Sequence, residues 1–497
     1  DTTLKVLGHL ELSRTDSGIS TVGDLEFQQM YGSSDPPHLS VVSDMGLNIA
    51  KAAQISGVSL HMSNGGELIL QEGGTFDNSN VDFNDSVFKP TGAVSVTNGG
   101  FNLHGTSSVV LQGDTTFSHG GDIYWSGLDL NGNSLTFGGE GANISIGEAL
   151  NIANGESLII GSSRLHFDNT LTIDDGGELI SGTGDVILAE PLTLNGELAQ
   201  GGGVIDLVRG GTVGDTGRLD VSSSEVRMGA DLYITGTLAA NGSSQWSGMF
   251  DLSQGTLEVG GGNMYLGDFI TGAGSTLKLS ADTEISNPNY YTLGTVELAG
   301  NKLIMGEGGG LTIANALTMT AAGSEIETRN SDLTLSSELE LSAGTITSTG
   351  GNLSFAGGAT LSDTGKLDLS YTTVDTGLED LTLDAPINLQ SVGIISSGGT
   401  IAFLALSNGS SFDSDSAMRL TDTGLVLETD LAIPYLNLSG SSTLLQNNST
   451  LTPAYLEIGI DGELDFTDIA TNDTILRLAG DSNITKTGEL ILKEINI

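Results

Sequence analysis

Residues 154–200 read NGESLIIGSSRLHFDNTLTIDDGGELISGTGDVILAEPLTLNGELAQ. Three times in this stretch a Gly is followed within three residues by a Leu that opens a short apolar run, at Leu158, Leu179 and Leu198. Working outward, the same phrase recurs at Leu219, Leu238, Leu257, Leu277 and Val296, with successive spacings of 21, 19, 21, 19, 19, 20 and 19. Eight matches in near-constant phase are a repeat, not a by-product of a Gly- and Leu-rich composition. Runs such as Leu277-Lys278-Leu279 and Leu367-Asp368-Leu369 alternate apolar and polar side chains, the period of a half-buried strand.

About twenty residues cannot bury a face alone, because two or three short strands and their turns have no partner layer. Stacked coils can, by building a continuous ladder of Leu, Ile and Val. The spacing therefore predicts an all-β chain wound as a right-handed parallel β-helix, or β-solenoid, with coils of about 20 residues. Some ~24 coils at a ~4.8 Å strand spacing would reach on the order of 110 Å. Leu219, Leu238, Leu257, Leu277 and Val296 are expected to stack in one inward column. Beyond them the phrase falls at Leu311, Leu333, Leu353, Leu367, Leu381, Ile401, Leu425, Leu444, Leu464 and Leu490, with spacings of 14 to 26 that read as inserted or shortened turns. Gly and Asn at the turns are assigned to positive-φ positions. Residues 1–60 carry the phrase weakly and include Pro36-Pro37, so they are assigned to an N-terminal cap or to irregular first coils, and residues 61–497 to the solenoid.

Composition agrees. Gly supplies 72 of 497 residues, roughly twice the usual ~7%, while Pro supplies 8, a mixture that excludes collagen and Pro-rich disorder. Only 14 Phe, 9 Tyr and 2 Trp are available, which suits a narrow aliphatic core. The 62 acidic and 16 basic residues give a net charge of −46, and the basic residues are scattered singly, so nucleic-acid binding is excluded. The absence of cysteine excludes disulfides, thiolate metal sites and a cysteine nucleophile. The longest apolar run, Ile401 to Leu406, is far short of the ~20 residues of a transmembrane helix. The chain opens on Asp1, which reads as a processed or excised segment of a longer exported protein.

Few residues suggest chemistry. All six histidines (His9, His38, His61, His104, His119 and His166) lie in the first third, at spacings that match no metal motif. Glycosidic cleavage needs two carboxylates at a defined separation. The acid pairs that come into question are Asp174–Asp175, Asp413 with Asp415, Glu379–Asp380 and Asp82 with Asp85, and no basic cluster accompanies them. Asp174–Asp175 and His119–Gly120 look superficially similar to polygalacturonase motifs, but in reversed order and without the other two elements. Asp413 and Asp415, in the sequence SFDSDS, form the candidate metal site, a loop that could bind calcium weakly; no other cofactor is expected. A two-column Thr-x-Thr face of the ice-binding kind is not expected, since Thr170/Thr172, Thr235/Thr237, Thr318/Thr320 and Thr345/Thr347 do not recur in every coil. The candidate ligand-binding residues are Tyr124, Trp125, Tyr290 and Tyr291. Neighbours on a strand point to opposite faces, so one ring of each pair is expected at the surface.

A Cys-free, Gly-rich, acidic chain with phrases such as GGELILQEGGTF and GGNLSFAGGATLSDTGKLDLS resembles the passenger regions of bacterial autotransporters and filamentous-haemagglutinin-like adhesins. The resemblance covers roughly residues 60–497 and implies a non-enzymatic structural or adhesive rod, secreted or displayed at a bacterial surface. Its partner would be a protein or glycan of a host or neighbouring cell, with self-association as a further expectation. Two other readings are a polysaccharide-processing β-helix enzyme and a subunit of an extracellular sheath or filament.

Overall fold

In the computed structural model of the protein, the described residues are 4–7, 10–12, 19–21, 25–28, 38–42, 46–138, 141–221, 224–240, 245–247, 249–264, 268–286, 290–385, 387–404, 411–447, 449–460, 463–465, 469, 474–478, 483–485 and 492–496. They are all-β, without a helix, and every named strand pairing is parallel. The chain divides into two compact units, 1–251 with 267–269, and 252–266 with 270–497.

The first unit is a three-faced β-solenoid. One ladder climbs from Ala53–Ser56 through Gly74–Asp77 and Ser157–Ile160 to Thr237–Ala240. A second climbs from Leu10–Leu12 and His38–Val42 through Asn143–Ile146 and Arg164–Phe167 to Gln245–Ser247. The third runs in two segments, Ile19–Thr21 to Gly127–Asp129 and Leu150–Ile152 to Met249–Asp251. Of the strands that precede residue 60, Leu10–Leu12, Ile19–Thr21, His38–Val42, Gly46–Ile49 and Ala53–Ser56 pair in these ladders, whereas Leu4–Leu7 and Leu25–Gln28 pair with each other. Inward residues alternate with outward ones along each strand, as in Leu158 and Ile160 inward against Ser157 and Ile159 outward.

The column expected from the repeat is present within this unit: Leu158, Leu179, Leu198, Leu219 and Leu238 are successive register partners, all fully buried. The core is less uniformly aliphatic than the composition suggests. Phe83, Phe88, Phe101, Phe117, Trp125 and Phe137 form one chain of ring contacts with centroids 5.0 to 6.2 Å apart. The aromatic residues are concentrated over a few coils, which is how a modest total fills a wide cross-section locally.

The second unit is built the same way. Leu257, Leu277 and Val296 are buried register partners in one column. Two long strands, Tyr290–Glu297 and Gly310–Thr318, then cover two ladders each, with a register shift between Leu293 and Thr295. Val296 therefore pairs with Leu317, whereas Leu311 continues another column, Tyr291, Leu311, Leu333, Leu353, Val374. The irregular spacings read from the sequence are largely changes of face. Leu353, Leu367 and Leu381 belong to three different ladders, the last two pairing with Ile387 and Ile401 respectively. Ile401, Leu425 and Leu444 do form one column, in which the long step to Leu425 is a true insertion. Leu464 pairs with Ile484, and Leu490 lies outside the described residues.

At several coils the glycine of the repeat phrase has a cause other than the expected positive φ. Gly196, Gly217 and Gly236 do not adopt positive φ. A Cβ at Gly217 would overlap the Leu194 carbonyl oxygen, and one at Gly236 the Gly214 carbonyl oxygen, so bare backbone is needed where one coil crosses the corner of the coil before it. Positive φ falls on other phrase glycines, such as Gly155 and Gly351, and on turn asparagines such as Asn64 and Asn98, as expected.

Candidate functional site

The second ladder of the first unit sets outward side chains in a straight column. His61, Asp82, Asn102, Tyr124, Ser145, His166, Ile187, Asp206 and Arg227 are successive register partners, one per coil. Beside it runs a parallel column that includes Asn143, Arg164 and Glu225. Between the two columns lies a groove of about 490 Å³ lined by Asn143, Ser145, Arg164, His166, Ile187 and Asp206.

Tyr124, half exposed at 50%, is the register partner of Ser145 beyond one end of this groove, and its hydroxyl leans over Gly147, away from the Asn143 column. Arg227, the register partner of Asp206 beyond the other end, makes a paired contact to Glu225, donating from Nε to Oε1 (2.7 Å) and from Nη2 to Oε2 (3.0 Å). Glu225 is held below the usual carboxylate range and Arg227 above its ordinary value, chiefly by these hydrogen bonds. Within the groove Arg164 Nε lies 3.9 Å from Asp185 Oδ2, and His166 Nδ1 lies 3.2 Å from Asp168 Oδ1. Asn143 donates from Nδ2 to Asp122 Oδ1 (2.7 Å).

The other aromatic candidates divide by strand alternation. Trp125 is wholly buried in the ring cluster, with its Nε1 unpartnered, and so presents nothing to a ligand. Tyr291 is buried in the core of the second unit, while Tyr290 is 74% exposed and lies across Gly310. One further aromatic pair escaped the sequence reading. Tyr435 and Tyr455, register partners one coil apart, stack at 5.1 Å with an interplanar angle of 10°. Arg419 covers Tyr435 at 5.3 Å, and the Tyr435 hydroxyl donates to Glu457 (2.5 Å). The signal was available in IPYLNL and PAYLEI, twenty residues apart. These rings cover one another and form cladding, not a platform.

Several of the acids singled out for catalysis or metal binding are engaged in hydrogen bonds. Asp413 accepts through Oδ1 from the Ser391 N–H (2.7 Å) and the Ser416 hydroxyl (2.8 Å), and the Ser391 contact above all lowers its pKa. Asp415 accepts from the Ser414 hydroxyl at an exposed turn. Asp82 accepts from Asn102 Nδ2 (2.8 Å), Asp174 from Asn151 Nδ2 (2.9 Å), Asp85 from the Thr106 N–H (2.9 Å) and Asp380 from the Thr400 N–H (2.6 Å). Among the described residues, no three His, Asp or Glu side chains converge in a way that could hold a metal ion. Of the histidines, His61 and His104 are exposed, His119 is buried with Nδ1 accepting from the Gly121 N–H, and His9 lies outside the described residues. Threonines do stack, as in Thr172, Thr193 and Thr212 and again in Thr256, Thr276 and Thr295, but each run is one column wide, and the first ends on Tyr233. No protein-family model matches this chain, and no curated protein or solved structure matches it.

Proposed function

We propose that the chain is a non-enzymatic structural and adhesive solenoid, part of an exported bacterial protein and displayed outside the cell in the manner of an autotransporter passenger. The observation that carries this reading is the outward column from His61 to Arg227: side chains of differing chemistry held about 4.8 Å apart on a rigid face, an extended recognition surface more than a catalytic cleft. The engagement of Asp82, Asp85, Asp174, Asp380 and Asp413 in hydrogen bonds between coils supports the same side, because an acid committed to such a bond is a poor proton donor to a substrate. Its partner is a glycan or protein of another cell surface.

The test uses beads coated with the purified chain, offered to bacterial and animal cell layers, alongside a panel of polysaccharides assayed for reducing ends and unsaturated uronates. Adherence without product release is the expected result. Product release abolished by Asp174→Asn with Asp175→Asn would replace this reading with the enzymatic one.

A further inference from the structure

The groove from Ser145 to Asp206 has a specific chemistry. Its length follows from the register: Ser145, His166, Ile187 and Asp206 are three coil steps, roughly 14 Å along the ladder. These four side chains and those of Asn143 and Arg164 line it, so the trough runs along the solenoid axis. Its walls alternate donors and acceptors, with Arg164 and Asn143 on one side and Asp206 beyond the apolar Ile187.

A peptide is poorly served here. The strands of this face already spend their backbone groups on neighbouring coils, so an extended peptide finds no free edge to pair with. Only Ile187 offers a large apolar contact for its side chains. An anionic ligand is served no better. Arg164 stands beside Asp185, His166 beside Asp168 and, beyond the trough, Arg227 beside Glu225, so each of these cations has an adjacent carboxylate. The net charge of −46 adds long-range repulsion. A neutral, hydroxyl-rich chain fits better: its hydroxyls donate to Asp206 and accept from Arg164 and Asn143, and a ring face rests on Ile187.

We propose that this trough binds a neutral linear glycan laid parallel to the solenoid axis. The inference deepens the adhesive reading and rests on it. Maltohexaose, cellohexaose, laminarihexaose and mannohexaose serve as probes in isothermal titration calorimetry, with hexagalacturonate as the anionic comparison. At least one neutral hexasaccharide is expected to bind, with affinity that changes little between about 0.05 and 0.5 M salt. Arg164→Ala and Asp206→Ala are each expected to weaken it about tenfold or more, by removing a charge-assisted hydrogen bond. Both side chains point outward, so thermal unfolding of the variants should match the parent, and Tyr290→Ala in the second unit should leave affinity unchanged. Failure of all four neutral probes, preference for hexagalacturonate, or affinity indifferent to both substitutions would overturn the proposal. If the coated beads still adhere to cells while none of these sugars binds, the glycan inference falls and the adhesive reading stands.

Discussion

At the scale of the residue, the structure rests on positions where a side chain, or the lack of one, has no substitute. Leu257 is an inward rung between coils, and in a one-dimensional stack no neighbouring group can pair with a charge placed there. Leu257→Asp is expected to destabilise the second unit by about 4 kcal/mol, read as a fall in the denaturant midpoint. Glycines separate into two kinds. Gly217 meets a carbonyl of another coil, so Gly217→Ala must displace backbone and should cost about 3 kcal/mol. Gly155 has open space around it but φ of 80°, so Gly155→Ala should cost only about 1 kcal/mol. Equal costs at the two sites would contradict this distinction. A sequence shows that a glycine recurs but not why, since close approach and positive φ leave the same letter. The inward leucines were legible because burial imposes a period on the chain. The outward column from His61 to Arg227 was not, although it repeats at nearly the same spacing, because its side chains share no property that a pattern could register.

At the scale of the element, the recurring device is an aspartate at a turn that takes a backbone N–H from the next coil. Asp114 does this to Ser134 (2.9 Å), Asp185 to Val204 (2.9 Å), Asp282 to Lys302 (2.8 Å), Asp332 to Asn352 (2.9 Å) and Asp430 to Thr450 (2.7 Å). Part of the acidic excess is thus built into the coil corners, where composition alone suggested only a solvated surface. The pKa values of Asp85, Asp413 and Asp422 are lowered mainly by such backbone hydrogen bonds, from Thr106, Ser391 and Ser441 respectively. A carboxyl whose folded pKa lies below its unfolded value near ~3.9 stabilises the fold above that pH and loses this contribution as pH falls through the folded value. Melting temperature should therefore drop steeply below about pH 4, and Asp422→Asn should flatten part of that drop. A profile that keeps rising down to pH 2 would show that relief of charge repulsion outweighs the corner hydrogen bonds.

At the scale of the whole molecule, the balance of 62 acidic against 16 basic residues sets the response to ions. Basic residues pair within their own strand, as in Arg218 with Asp220, or with the neighbouring coil, as in Lys89 with Glu67, and 16 of them leave most of the 62 acids without a basic partner. Melting temperature is expected to rise with sodium chloride up to about 0.15 M and then level off, as the Debye length shrinks to ~8 Å. Calcium should raise it gradually, and more than magnesium at equal ionic strength, because it accepts irregular oxygen ligands more readily. Indifference to all three salts would mean that repulsion does not limit stability. Period and face of the coils were readable from the sequence for most of the chain. The transfer of the phrase from one ladder to another at Leu311 and Leu367 was not, because a change of face leaves the local strand pattern intact. The claim beneath all of this is that successive coils lie in parallel register and carry residues distant in sequence into one straight column. The chain has no cysteine, so spin labels placed by Asn102→Cys and Arg227→Cys report one distance without interference. Six coil steps separate these positions, so double electron–electron resonance should give a narrow distribution centred at roughly 29 Å. A broad distribution, or a narrow one centred far from that distance, would contradict the stacked-coil account.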